Sequence, residues 1–237
     1  MKPEIKMVAV DVDGTFVRSD YTYDVPRFKR ILSRMNDVGC HFVVASGNQY
    51  YQLRDLFPGY YDELSFVAEN GAFVKDRQEL VFTANMPKET VNYVIDVCRE
   101  YPEVLNVLCG VNSAYCERGT VSQDFFDLTS IYYHRLQWVD DFKEVNDQIL
   151  KFAPTVPEEK TYEYYDMFRE RLKGKLVRFC CGWSVVWSFQ SALFVKRFFA
   201  ITKPRLFIEH LLNKLISNAC ISEKGTPWQA LPFPLQL

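Results

Sequence analysis

Apolar positions in the first 75 residues fall into short unbroken runs separated by amphipathic stretches. Met7-Val-Ala-Val10 is one such run, and Cys40-His-Phe-Val-Val-Ala45 and Ser65-Phe-Val-Ala68 repeat it. Runs of this length, rich in valine and closed by polar turns, read as strands buried on both faces, the usual state of a parallel sheet under helices. Between the first two, Phe28, Ile31, Leu32 and Met35 fall at i, i+3, i+4 and i+7, after Asp24 as N-cap and Pro26 in the first turn, and Gly39 ends the segment. That spacing predicts an amphipathic helix. Gln49 to Phe57 reads as a second helix, closed by Pro58-Gly59. Strand, helix, strand, helix is the signature of a βαβ parallel sheet, and Asn70-Gly71 after the third run predicts a turn into a hairpin arm.

The rhythm then loosens. From Leu80 to Val177 the pattern predicts strand Leu80–Thr83, a helix from Lys88 to Arg99, strand Val104–Cys109, and a polar segment around Asn112-Ser-Ala-Tyr115. A helix near Ser122–Ile131, a strand near Lys151–Val156 and a helix from Pro157 to Leu172 follow. Long loops and many tyrosines suit a separate α+β unit inserted into the first sheet. Phe179 to Val195 carries no charge, includes two Trp, and shows no clean period; Leu206 to Ile216 suggests a short amphipathic helix, and Pro227 to Leu237 is proline-rich.

Composition adds a division to this picture. The 237 residues, 48% apolar and 16% aromatic, suffice for a large packed core. The net charge of −2 conceals two unlike parts: residues 171–237 hold ten Lys/Arg against Glu209 and Glu223, a net +8, which leaves −10 for residues 1–170. The last aspartate is Asp166. With no overall basic field and no recognisable binding motif, nucleic acid is not an expected partner. Seven cysteines, at 40, 98, 109, 116, 180, 181 and 220, include no CxxC pair and no Cys/His spacing suited to zinc. They read as reduced thiols of a cytoplasmic protein, and the start of the chain shows no signal-like apolar stretch. At 17 residues, interrupted by Gly182 and Gln190, the uncharged segment is a poor membrane span, so membrane attachment is not expected.

The candidate chemistry sits where the first run ends. Asp11-Val-Asp13-Gly14-Thr15 places two carboxylates at the carboxyl end of a buried strand, where open α/β sheets form their ligand crevice. Two like charges there need a cation, hydrogen bonds or a shared proton. Asp11 can attack an electrophile such as phosphorus without prior deprotonation, and Asp13 can protonate the leaving oxygen. Mg²⁺ suits such a pair, as a hard cation held by one or two carboxylates, a carbonyl and waters. Ser46, closing the adjacent strand ahead of Gly47 and Asn48, offers a hydroxyl and backbone N–H groups to phosphate oxygens at a helix start. Its ordinary alternative is a helix N-cap.

DVDGT at Asp11–Thr15, VVASGNQYYQL at Val43–Leu53 and FVAENGA at Phe66–Ala72 resemble the haloacid-dehalogenase superfamily, and within it the Cof-type phosphatases of sugar phosphates. CGVNSAY at Cys109–Tyr115 and YYHRL at Tyr132–Leu136 extend the likeness, which covers roughly residues 5–178. The resemblance implies an α/β fold: a Rossmann-like core, with an inserted α/β cap. It implies Asp11 as nucleophile and magnesium ligand, Asp13 as acid/base with its carbonyl on the metal, Thr15 at the substrate, and Ser46, Gly47 and Asn48 on the transferring phosphate. The expected division is residues 1–80 for the first part of the core, 81–178 for the cap, and 179–237 for a divergent segment replacing the rest of the core.

The departure from the family is equally specific. A phosphatase of this kind goes on to a lysine in a PGVSKG-like segment and then to GDxxND, whose acids complete the metal site; with no Asp after Asp166, the second motif is absent. Lys175, Lys196 and Lys203 lack the Gly/Pro context of the first and read as ordinary lysines, and only Glu209 and Glu223 remain as late carboxylates. The change of text near residue 179 resembles translation of another reading frame or a truncated product. The expected function is a Mg²⁺-dependent phosphatase of small phosphorylated metabolites acting through an aspartyl-phosphate, with activity compromised by the missing acids. The alternative is a catalytically silent binding or regulatory protein. His41 reads as a hydrogen-bonded strand residue, His134 and Arg135 with Tyr133 as cap residues open to substrate or solvent, and Tyr50 and Tyr51 as packing under the cap. Substrate identity and oligomeric state are left open by the sequence.

Overall fold

A computed structural model describes residues 5–173, together with the backbone of two later strands at 176–181 and 186–191. The first sheet has five strands in the order β1-β2-β3-β4-β5: β1 (Met7–Asp11), β2 (His41–Ala45), β3 (Ser65–Ala68), β4 (Phe73–Asp76) and β5 (Glu79–Thr83). β1, β2 and β3 are parallel, and β4 and β5 add an antiparallel meander. Helices α1 (Val25–Asp37) and α2 (Tyr50–Asp55) make the crossovers. Asp24 caps α1 by accepting a hydrogen bond from Arg27 N at 2.9 Å, and Pro26 lies in the first turn, where its missing N–H costs nothing. Phe28 and Leu32 are buried against the sheet, whereas Ile31, expected on the same stripe, is 43% exposed. Among the described residues β1 is an edge strand, so the surface available to that flank of α1 ends there.

A second sheet has six strands in the order β10-β11-β9-β6-β7-β8, built from β6 (Leu105–Gly110), β7 (Ala114–Glu117), β8 (Leu136–Val139), β9 (Ile149–Thr155), β10 (Leu176–Cys181) and β11 (Val186–Ser191). Helices α3 (Lys88–Arg99), α4 (Gln123–Ser130) and α5 (Thr161–Arg171) accompany it. α3 and α5 contribute Val91, Val94, Ile95, Tyr164 and Phe168 to a core shared with Leu108, Phe142 and Phe152. β7 begins in the segment around Asn112–Tyr115 expected to be polar, and β8 is a strand that the pattern does not mark; each has four residues, and their parallel pairing is not encoded in a local alternation.

Two boundaries differ from those expected. Glu79–Thr83, placed across the start of the cap by the sequence, belongs to the first sheet because it returns along β4 as a hairpin. The boundary expected at residue 178 falls inside β10, and β11 pairs antiparallel with β9, so the cap sheet runs beyond it. The remainder of 192–237, with its basic residues and amphipathic stretch, lies outside the described residues. Among the described residues no helix is long and apolar enough to cross a membrane.

The first core is an aromatic cluster. Phe57, fully buried, has ring centroids 5.5 Å from Phe16, Tyr23 and Phe28 and 6.3 Å from Phe66. Leu150 of β9 packs into this same cluster, so the two sheets share apolar contact. Replacing Phe57 with Ala is expected to cost about 3–5 kcal/mol of unfolding free energy. Urea titration reads this as a lower midpoint; an unchanged midpoint would mean the ring does not carry the packing.

Candidate active site

β1 pairs with β2 in a register that sets Asp11 opposite Ala45, so Asp11 and Ser46 leave adjacent strand ends together. Beyond Asp11 the chain buries Val12 and then turns: Gly14 has φ 67°, a conformation that glycine adopts without steric cost, and Val17 N donates to Val12 O at 3.1 Å. The turn brings Asp13 and Thr15 back beside Asp11, whose carboxylate takes hydrogen bonds from the Val12 amide and the Thr15 hydroxyl. On the neighbouring strand end, Asn48 Nδ2 donates to Asp13 Oδ2 at 2.9 Å, and Asn48 N donates to Ser46 Oγ at 3.2 Å. The six residues expected at the site, Asp11, Asp13, Thr15, Ser46, Gly47 and Asn48, therefore lie on two adjoining loops.

The electrostatics of the pair are those of an anion site waiting for positive charge. Burial raises the pKa of Asp11, and the charge of Asp13 raises it further, against the opposing hydrogen bonds from Val12 and Thr15. Burial also raises Asp13, with the Asn48 hydrogen bond acting in the other direction. A divalent cation would reverse this balance by favouring both ionised forms. Asp11 and Asp13 are hard oxygen donors that match magnesium, which commonly takes one or two carboxylates and completes its shell with water and substrate oxygens. Among the described residues no group of three or more His, Cys, Asp or Glu is placed to hold a metal. Lys175, Lys196, Lys203, Glu209 and Glu223 lie outside the residues whose side chains are described.

Against the Ser46–Asn48 loop lies a turn to which the sequence assigns no part. Glu69, Asn70 and Gly71 have φ of 54°, 55° and 86° in succession, a strained arrangement for the two non-glycine residues. Glu69 N donates to Asn48 O at 3.0 Å and Asn70 N to Ser46 O at 3.3 Å, so the turn is hydrogen-bonded to the loop along its length. Gly47 passes so close that a Cβ there would lie 2.6 Å from Asn70 Oδ1. From the other sheet, Lys151 of β9 reaches across with Nζ 2.6 Å from Glu69 Oε2 and 3.0 Å from Gly47 O. The signal in the sequence is a single lysine inside the otherwise apolar run Ile149-Leu-Lys-Phe-Ala.

Other cap contacts fall on α2. Gln49 exchanges two hydrogen bonds with the backbone of Arg135, at 2.8 and 2.9 Å, and the Arg135 guanidinium lies 3.7 Å from the ring centroid of Tyr51. The Tyr51 hydroxyl donates to Val111 O at 3.0 Å, while Tyr50 is buried and stacks on Phe73 at 4.7 Å. His134 Nδ1 lies 2.9 Å from Asp55 Oδ2, making it a contact between cap and core, and His41 is partly exposed with Nδ1 3.7 Å from Asp76 Oδ1. Cys40, Cys98, Cys109 and Cys116 are free buried thiols; burial pushes Cys116 up to about 12, so it carries no nucleophile at neutral pH.

The model of the haloacid dehalogenase-like hydrolase family matches residues 8–197. A 5-amino-6-(5-phospho-D-ribitylamino)uracil phosphatase of Escherichia coli, YbjI, is 40% identical over 155 residues, which are 65% of this chain and 57% of the relative. The chain thus spans little more than half the length of that curated relative. Among solved structures, a Streptococcus mutans protein superposes with a TM-score of 0.74 at 27% identity, covering 83% of this chain and 76% of its own. A haloacid dehalogenase-like hydrolase from Bacteroides thetaiotaomicron gives 0.67 at 18% identity, with 83% and 77% covered. With its two-loop aspartate and serine constellation on a capped α/β sheet, the chain belongs to the haloacid dehalogenase-like hydrolase family.

Proposed function

We propose that the chain is a phosphatase of small phosphorylated metabolites, such as sugar phosphates, using Asp11 as nucleophile with Mg²⁺ as cofactor. The observation that carries this reading is the junction of the two loops, where Asn48 Nδ2 bonds Asp13 and the Ser46–Asn48 loop faces the strand end bearing Asp11. The substrate class draws support from the E. coli relative, which is named for a phosphorylated ribityl compound.

The Asp11 carboxylate attacks phosphorus in line with the ester oxygen, forming an aspartyl-phosphate as the P–O bond to the leaving group breaks. Asp13, protonated at the start, gives its proton to the departing alkoxide. Asp13 then takes a proton from water, which attacks the acyl-phosphate, releases phosphate and restores Asp11. Ser46 Oγ and the Gly47 amide supply hydrogen-bond donors to the transferring oxygens, and Asn48 N, donating to Ser46 Oγ, orients that hydroxyl. The Asp11 carboxylate and the Asp13 main-chain carbonyl would hold the cation, which would neutralise charge between Asp11 and the phosphate.

A second reading is favoured by one specific observation: residues 167–237 include no aspartate to join Asp11 and Asp13 at a metal. In that case the chain binds a phosphorylated ligand without turning it over. The two readings separate on p-nitrophenyl phosphate. The phosphatase reading predicts Mg²⁺-dependent release of p-nitrophenol, and Asp11→Asn lowers kcat by about 10³-fold or more. Turnover that survives Asp11→Asn contradicts the assignment of the nucleophile, and phosphate binding with no turnover leaves the silent reading. Removal of divalent cation with EDTA is expected to abolish hydrolysis and Mg²⁺ to restore it; activity equal with and without EDTA would exclude the cofactor.

A further inference from the structure

The phosphate-type loop contains little that could hold its own shape. Ser46 Oγ accepts from Asn48 N within the loop, α2 is only six residues long, and Gln49 makes no side-chain cap to it. What surrounds the loop is more constraining. Below it, the strained Glu69–Asn70–Gly71 turn is bonded to both of its ends, and Asn70 Oδ1 occupies the space that any side chain at 47 would need. Above it stands Lys151, brought from the cap sheet 104 residues away in sequence.

Lys151 and Glu69 are both buried, with side chains 5% and 2% exposed. Charge so far from water persists only when it is paired and its remaining hydrogen-bonding capacity is used. Burial alone would pull the Lys151 ammonium down; the charge of Glu69, with Tyr133 and Cys109 beside it, outweighs this and holds its pKa well above the ordinary lysine value. The ammonium also lies 5.7 Å from the Tyr133 ring centroid, so the cap residues around it favour the cation. One ammonium thus pairs with the turn's carboxylate and donates to the loop's carbonyl at once, and a neutral apolar residue of the same length could do neither.

We propose that Lys151 is a positioning residue: seated with the cap, its ammonium holds the Gly47 carbonyl and the Glu69 carboxylate and thereby fixes residues 46–48 in their phosphate-binding shape. Cap docking and the formation of the phosphate site are then one event. Withdrawal of the cap removes the Lys151 ammonium from the Glu69 carboxylate and the Gly47 carbonyl together, and so releases the loop. The proposal rests on the reading of Ser46–Asn48 as the phosphate loop.

Hydrogen exchange of the full chain tests it without reliance on turnover, alongside calorimetric titration with inorganic phosphate. Lys151→Met is expected to speed amide exchange in peptides covering 44–50 and 67–73 by about tenfold or more, as loss of a charge-assisted hydrogen bond implies, with peptides from α1 unchanged. Phosphate affinity is expected to fall by a similar factor, and Lys151→Arg to retain most of both properties. The double variant Lys151→Met/Glu69→Gln removes both charges together, so it is expected to keep the parent's melting temperature more closely while still exchanging fast at 46–48. Exchange at 46–48 equal to the parent's in Lys151→Met, or in the double variant should the single one not fold, would overturn the proposal. So would acceleration spread evenly over the molecule, since that reports lost stability and no local role. If the parent binds no phosphate yet Lys151→Met loosens 46–48 selectively, the phosphate reading fails and the positioning role stands.

Discussion

The parallel register of β1 on β2 is the constraint on which the rest of the site depends. With Asp11 opposite Ala45, two strand ends deliver their chemistry to one place: carboxylates from one, a hydroxyl and amides from the other. Slipping this pairing by one residue would turn every side chain of β1 over, so packing itself guards the alignment. Val12 and Val44, both fully buried, are the residues that such a slip would displace. The Asn48 bond to Asp13 then ties the two loops directly, after the sheet has set their separation.

Negative charge gathers at that junction faster than the protein neutralises it. Burial raises the cost of ionising both aspartates, the charge of Asp13 adds to that of Asp11, and Glu69 adds a third acid beside the loop. Each is met differently. Hydrogen bonds from Val12, Thr15 and Asn48 partly offset the aspartates, and the cation proposed there would complete the balance. Glu69 is met by Lys151, a resident cation supplied by the cap. An apolar pair of equal volume could stabilise the seam as well as this ion pair does. Its use points to orientation of the loop, because only a donor can hold the Gly47 carbonyl.

Much of this was legible in the sequence, and the parts that were not have physical reasons. Asp11-Val-Asp13-Gly14-Thr15 is readable because charge at the end of an apolar run conflicts with burial unless chemistry requires it. Helices α3 and α4 fall within a residue of their expected bounds, since the apolar stripe of each and the Ser122 cap of α4 are local. β7 and β8 escape because their pairing is long-range, and Glu79–Thr83 is misassigned because a strand's sheet is chosen by its partner. Lys151 left a trace in the chain, one lysine amid apolar residues, but its partners lie 82 and 104 positions away. No local pattern carries that information. The cap strands 176–181 and 186–191 arise from text without clean period, where only pairing to β9 defines them.

The central claim is that Asp11 takes the phosphoryl group from substrate. Borohydride reduction of the protein quenched during turnover of a phosphomonoester with Mg²⁺, followed by peptide mass spectrometry, addresses this atom directly. An aspartyl-phosphate at Asp11 is reduced to homoserine, and the account predicts that change at residue 11 alone, absent without substrate. Homoserine at another aspartate, or hydrolysis proceeding with residue 11 unmodified, would contradict it.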